Sequence, residues 1–260
     1  MTVRDVLRNA ARRGAHWVDL QYSLTIQGLH DVAPLAHGEL LDVGCGEKPY
    51  EPIFRPFVTR YVGIEHEGSY AQTDASARGT GPDYLYDGTR LPFDDASFDT
   101  VLSVQVLEHT PSPQALLNEM ARVLRPGGTL LLSAPFSFRL HEEPHDYFRY
   151  TPHGLRDMCA RAELEVVRID AQGGLWSLLA HKLNSFLAFR VAVVGGAMQA
   201  IGKLGHEAQE TRRPRYWTVP LVGPMVVGMS AGARVLDKML PDPSEALSFL
   251  LVARRPTTAC

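Results

Sequence analysis

Short apolar runs recur along residues 39–170, separated by turns rich in glycine, proline and acids. Runs at 39–43, 60–64, 83–86, 98–104, 128–134 and 164–170 have strand length and composition. The run FDTVLSV at 98–104 is almost wholly apolar, which predicts a strand buried on both faces. Between the runs, 113–124 has helical spacing through Ala115, Leu116, Met120, Val123 and Leu124, and Pro126-Gly127-Gly128 ends it. Thr151-Pro152 opens a second helix, with Thr151 as its N-cap and Pro152 in its first turn. SFLLVARR at 248–255 reads as one more strand. Alternation of this kind predicts an α/β fold: a doubly wound, mostly parallel seven-stranded sheet covered by helices on both faces.

The flanks break the rhythm. Residues 1–38 read as an N-terminal helical cap, with Val3, Leu7 and Ala10 on one face and Arg4, Arg8 and Arg12 on another. The core follows at 39–170, and 246–260 holds the last strand and a tail. Residues 171–245 form an apolar helical insertion before that strand. Its uncharged stretch from Trp217 to Ala233 carries two prolines and three glycines, which argues against a membrane-spanning helix. Two readings stand for the insertion: a lid over the active site, or a surface for peripheral membrane contact or a homodimer.

Composition narrows the setting. A net charge of −3 gives no general pull toward nucleic acid, and none is expected as a partner. Cys45, Cys159 and Cys260 are too few and too scattered for a disulfide framework or a zinc site. They suit a reducing cytoplasm, and the arginines near the start lack the apolar run of a secretory signal. The expected location is cytoplasmic, with membrane association left open by the insertion and the arginine face.

The most telling segment is LDVGCG, Leu41 to Gly46, followed by YVGIE ending at Glu65. A strand, a glycine turn and a second strand closed by a carboxylate form a nucleoside site. Gly44 and Gly46 admit close backbone approach, and Glu65 can accept both ribose hydroxyls. The turn continues Glu47-Lys48-Pro49, so Pro49 occupies the third glycine position of the dinucleotide fingerprint G-x-G-x-x-G. Asp42, just before the turn, would repel phosphate and attract an ammonium group. A cofactor with an amino-acid end and no phosphates fits better than NAD.

LDVGCG, Glu65, YDGTRLPFDDASFD, VLEHT and ARVLRPGGTLLLSAPF together resemble, in order and over about 39–170, the class I S-adenosylmethionine-dependent methyltransferases of the type 11 group. The segment from His141 to Leu155, HEEPHDYFRYTPHGL, resembles a subgroup with an HxxxHDYFRYT loop. The resemblance implies a Rossmann-like methyltransferase fold, S-adenosylmethionine as cofactor and S-adenosylhomocysteine as product. It implies that Asp42, Gly44 and Gly46 line the methionine end. Glu65 would bind the ribose, with His66 near the adenine, Asp87 and Gly88 at the adenine, and Gln105 and Val106 on the sulfonium side.

Methyl transfer from a sulfonium needs alignment above all, and requires no metal. A hydroxyl acceptor also gains from a general base. His109, after the fourth strand, and His145, with Asp146 beside it, are the candidate catalytic residues. Adjacent residues often point apart, so Asp146 need not touch His145. A loop clamp made by Arg149 and Tyr150 is the competing reading of that segment. Phe136, Tyr147 and Arg149 are candidates for contacting acceptor. The spacing of His141, Glu142 and His145 matches no strong ligand motif, so no metal is expected. The expected activity is O-methylation of a small-molecule, glycan or lipid-linked acceptor in biosynthesis. A non-catalytic cofactor-binding or scaffold protein, and an N-methyltransferase acting on a small amine, are the alternatives.

Overall fold

The computed structural model describes residues 19–71, 81–187 and 219–257. The arginine face at Arg4, Arg8 and Arg12 therefore lies outside the described residues, as does most of the middle of the insertion. The chain divides into two compact units, Leu24–Gln172 with Leu247–Cys260, and Met1–Ser23 with Gly173–Ala246.

The first unit holds a seven-stranded sheet. Its strands are β1 (Glu39–Val43), β2 (Arg60–His66), β3 (Tyr84–Tyr86), β4 (Phe98–Val104), β5 (Leu124–Pro135), β6 (Glu165–Gln172) and β7 (Ser248–Arg254). Their order is β3-β2-β1-β4-β5-β7-β6. The first five run parallel, while β7 is antiparallel to both β5 and β6. β4 is the sequence run 98–104 itself, and Val101 and Leu102 in it are fully buried, as a central parallel strand requires. β5 begins four residues earlier than its apolar run, because Leu124 is already extended and pairs with Phe98. The edge strand β3 is short and largely exposed, which limits unwanted pairing at that edge.

The described helices of this unit begin with α1 (Leu20–Val32), whose first residues belong to the other unit. Then come two single turns, α2 (Glu51–Phe54) and α3 (Glu67–Ala71), followed by α4 (Pro113–Val123) and α5 (Pro152–Arg161). Helix α4 buries Leu116, Leu117, Met120, Ala121 and Val123; of the positions the sequence spacing marks, Leu116, Met120 and Val123 lie in this stripe, while Ala115 is exposed and Leu124 already belongs to β5. Helix α5 is capped as expected, with the Thr151 hydroxyl oxygen accepting from Gly154 N at 3.1 Å. Leu29, Val32, Ala33, Leu40, Phe54, Leu102 and Leu131 join in one core cluster.

The second unit is helical. It contains α6 (Leu175–Phe186) and α7 (Val219–Met239). The prolines and glycines of the apolar run do not break α7. Pro224 forfeits one hydrogen bond inside the helix, which the rest of the 21 residues outweigh. Helix α6 packs against α7, and Asn184 Nδ2 donates to Ser230 Oγ at 2.9 Å. Helix α6 begins at Gly174, which has no side chain to cap it. Asp237 of α7 does so instead, accepting from Gly174 N, Trp176 N and Ser177 N at 3.0–3.2 Å. No helix among the described residues is long and apolar enough to cross a membrane.

Candidate functional site

Every cofactor candidate from the sequence sits at the carboxyl ends of four adjacent strands, in the order β3-β2-β1-β4. That edge is where open α/β sheets bind ligands. After β1, Gly44 adopts φ 76° and Gly46 φ 51°. These are conformations that glycine reaches without strain. Gly44 N and Cys45 N donate to Ile64 O at 2.9 and 3.2 Å, binding the turn to β2. A Cβ at Gly44 would collide with the Val106 side chain, so this glycine brings the first and fourth strand ends together. A Cβ at Gly46 would meet nothing within 4 Å, so open space lies beside the turn.

Glu65, near the end of β2, reaches across to that turn. Its Oε2 accepts from Gly46 N at 2.8 Å and its Oε1 from His66 N at 2.9 Å. Each oxygen keeps a lone pair for a further donor. His66 accepts from Gly68 N on Nδ1 at 3.2 Å, which in the neutral ring leaves its proton on Nε2. Its ring meets Tyr86 edge-on at 5.9 Å, and Gly88 lies close against it. Asp87 turns to Thr89, taking both its N–H at 2.9 Å and its hydroxyl at 2.6 Å. Those bonds hold its carboxyl below the ordinary range.

Asp42 departs from expectation. It is expected to line the methionine end, but its side chain is only 1 % exposed and lies beneath the turn. Tyr61 OH donates to its Oδ2 at 2.5 Å. Burial pushes the Asp42 carboxyl up to about 7, opposed by the Tyr61 bond and Lys48 and assisted by Glu65 and Glu51. Because the folded state holds this proton more tightly than the unfolded chain, the associated stability is full below about pH 4. It is lost as pH rises through about 7. Asp42→Asn should therefore flatten the fall in unfolding free energy over this interval, a term of up to about 4 kcal/mol. Urea titrations from pH 4 to 8 would measure it, and an unchanged slope in the variant would exclude Asp42 as the source.

Cys45 packs behind the turn, and burial pushes its thiol up, which removes it as a nucleophile. After β4, Gln105 takes φ 56°, a strained conformation for a residue with a side chain. Its N–H donates to Ser133 O at 2.9 Å and its Nε2 to Ser133 Oγ at 2.8 Å. Ser133 and Ser248 both donate to Gln172 Oε1, at 3.3 and 2.7 Å. This buried chain fixes the β4 end from β5, β6 and β7. Its only trace in the sequence is a small polar residue within each of two apolar strands.

A 3₁₀ turn, Leu107–His109, follows and meets the loop after β5. Tyr147 N donates to Glu108 O and Tyr150 OH to Leu107 O, both at 2.8 Å. The two base candidates meet through backbone, with His109 Nδ1 at 2.7 Å from His145 O. His145 Nδ1 lies 3.1 Å from Tyr147 OH. The structure does not bring Asp146 to His145. Asp146 takes a bidentate pair from Arg149 at 2.6 and 2.7 Å and the His141 N–H at 3.0 Å, which hold its carboxyl well below the usual range. Arg149 also donates to the carbonyls of Phe138, Arg139 and Phe148, so its donors serve the loop, not an acceptor. The clamp reading of Arg149 and Tyr150 describes these bonds, with Asp146 held as the partner of Arg149. Phe136 packs on Phe249, while Tyr147 is 44 % exposed at the loop surface.

Glu108 is the residue sequence reasoning missed. It is 0 % exposed, and neither carboxylate oxygen hydrogen-bonds another residue. Burial pushes its carboxyl up to about 8. Its adjacency to His109 was the available signal.

The "Methyltransferase domain" family profile matches residues 41–132, which span the glycine turn, Glu65 and the β4 end. An uncharacterized methyltransferase of Mycobacterium sp. strain JLS is 42 % identical over 94 residues, which is 36 % of this chain and 37 % of that protein. One from Mycobacterium avium strain 104 is 40 % identical over 111 residues, covering 40 % and 44 %. The chain thus spans less than half the length of these relatives. Among solved structures, the [4+2]-cyclase SpnF aligns with a TM-score of 0.54 and 22 % identity, over 92 % of this chain and 82 % of that one. An S-adenosylmethionine-dependent methyltransferase from Mesorhizobium loti aligns at 0.52 and 15 %, over 91 % and 100 %. These two likenesses establish the fold.

Proposed function

We propose that this chain, whose core is a class I S-adenosylmethionine-dependent methyltransferase domain, transfers a methyl group to an oxygen of a small-molecule, glycan or lipid-linked acceptor. The observation that carries this reading is the pairing of Glu65 with the Gly46 turn beside open space. Together they form a carboxylate-rimmed crevice with no phosphate-binding glycine helix. The residues fit the cofactor chemically. Glu65 has lone pairs for the ribose hydroxyls, Gly44 and Gly46 let backbone N–H groups approach, and His66 with Gly88 forms one wall for the adenine. Gln105 and Val106, held by Ser133 and by contact with Gly44, define the sulfonium side. Asp42 supports the turn from beneath. When bound, S-adenosylmethionine supplies an activated methyl group.

The chain's own contribution is alignment and proton removal. A rigid β4 end and a clamped loop after β5 restrict the acceptor's approach, and such positioning supplies roughly 7–11 kcal/mol in well-oriented reactions. His109 and His145 are the base candidates. Where Nδ1–H of His109 donates to a carbonyl, the neutral ring offers Nε2 as acceptor. A base so placed contributes about 10²–10⁴-fold. Leu179, Leu183, Phe186, Met225 and Val227 are exposed on the helical unit and support an apolar acceptor, or a membrane or dimer contact, for the 171–245 segment.

The test is label transfer. Calorimetric titration should show saturable S-adenosylmethionine binding that S-adenosylhomocysteine displaces and NADH does not. With methyl-labelled cofactor and fractionated extract, product label should be released as methyl iodide by hydriodic acid under conditions that spare methylamines. Binding without transfer would favour a sensor or scaffold, and retention of label on nitrogen would overturn the oxygen assignment.

A further inference from the structure

We propose that Glu108, His109 and His141 form a binding site for one borderline divalent transition cation, of which zinc is the natural probe. One ligand atom from each lies within 4.8 Å of the others, a grouping that joins the 3₁₀ turn after β4 to the loop after β5. Both histidines are oriented from behind. His109 Nδ1 is 2.7 Å from His145 O, and His141 Nδ1 is 3.2 Å from Asp146 Oδ2. Carbonyl and carboxylate oxygens only accept, so each Nδ1 carries a proton and each neutral ring presents its Nε2 lone pair. Metal-bound histidines are held in this way, by a carbonyl or carboxylate on the other ring nitrogen. Asp146 is itself fixed by Arg149. The two imidazoles converge, with ring centroids 4.7 Å apart and planes at 76°.

The carboxylate supplies an independent observation. Glu108 is 0 % exposed with both oxygens lacking a hydrogen bond from another residue, a costly arrangement that a cation would relieve. Its Oε1 lies 3.8 Å from His109 Nε2. Tetrahedral nitrogen and oxygen ligands about zinc stand roughly 3.4 Å apart, so the Glu108–His109 pair must close by about 0.4 Å and the widest pair of the group, within 4.8 Å, by up to about 1.4 Å. Glu142 Oε2 lies 3.8 Å from the same nitrogen and is 73 % exposed, an exchangeable second carboxylate just outside the grouped three. Two nitrogens and a carboxylate select a borderline transition cation over calcium or magnesium. His109 is then a ligand, and the base role falls to His145.

The test uses the full chain, stripped with chelator and then titrated with zinc chloride against a chromophoric competitor. Elemental analysis should give one zinc per chain. His141→Ala should weaken zinc by more than the 10–100-fold typical of losing an outer-shell partner, and Asp146→Asn by about that factor. In the wild-type chain, ¹⁵N imidazole spectra should show both rings as Nδ1–H tautomers whose Nε2 signals shift on zinc addition, a readout that needs no variant to fold. S-adenosylmethionine binding, measured in chelator, reports the methyltransferase reading separately and should be unchanged by His141→Ala. Absence of stoichiometric zinc in folded protein, zinc affinity untouched by His141→Ala, or unshifted Nε2 signals would each overturn the site.

Discussion

Glu65→Ala should abolish measurable S-adenosylmethionine binding while leaving the chain folded. The carboxylate has two duties, and they separate experimentally. It ties the glycine turn to β2 through Gly46 N and its own strand end through His66 N. It also offers the remaining lone pairs to two ribose hydroxyls. Hydrogen bonds to a charged acceptor contribute roughly 1.5–3 kcal/mol each, so losing both weakens binding by about 10²–10⁴-fold. The fold loses less. The Gly46 N–H is only partly buried, and an unsatisfied donor there costs at most about 1–3 kcal/mol. Glu65→Gln discriminates further. Both carboxylate oxygens face N–H donors, so an amide must turn its NH₂ against one of them, and the variant should resemble alanine in binding. Calorimetry for affinity and urea unfolding for stability read the two duties. Affinity within about twofold of wild type in Glu65→Ala would sink the ribose assignment, since one charged hydrogen bond alone exceeds that margin.

The same residue shows how much of the molecule was legible in the sequence. The bounds of β1 and β4, the cap at Thr151 and the placement of Glu65 opposite the glycine turn follow from local spacing and strand order. Asp42 did not. A carboxylate before a glycine turn looks available to a ligand, and only the partner strand supplies the Tyr61 hydroxyl that takes it inward. Asp146 failed for a related reason. Its neighbours in sequence are His145 and Tyr147, yet its carboxylate turns to Arg149 and His141. Helix α7 lies in the insertion that the sequence reads as helical, but its continuity across Pro224 and three glycines was not legible, because single breakers inside a long helix are outweighed by the rest of its bonds. The cap that Asp237 places on α6 and the Gln172 chain join residues far apart in the sequence, beyond any local pattern. Local chemistry announced the crevice; the second partner of each polar group came from topology.

Gly44→Ala should produce the largest loss of stability among substitutions at the crevice. Two terms add. The backbone sits at φ 76°, where a β-carbon costs roughly 1–2 kcal/mol. The new methyl group would also overlap Val106 Cγ2 and press on Cγ1 at 3.0 Å, and overpacking of this kind costs typically about 1–3 kcal/mol. The clash falls on a stiff, β-branched side chain, which cannot swing away as a lysine would. Val106 follows the strained Gln105, so displacing it disturbs the sulfonium side as well as the fold. Together the terms predict a loss of about 2–5 kcal/mol and no detectable cofactor binding. A second substitution divides them. Val106→Ala removes the methyl groups that the introduced side chain would strike but leaves φ untouched. Added to Gly44→Ala, it should restore the steric share and not the backbone share. The double-mutant cycle, measured by urea unfolding, would then show a favourable interaction of about 1–3 kcal/mol. If instead Gly44→Ala unfolds at the wild-type urea concentration, the close approach of the β1 turn to the β4 end does not constrain the crevice.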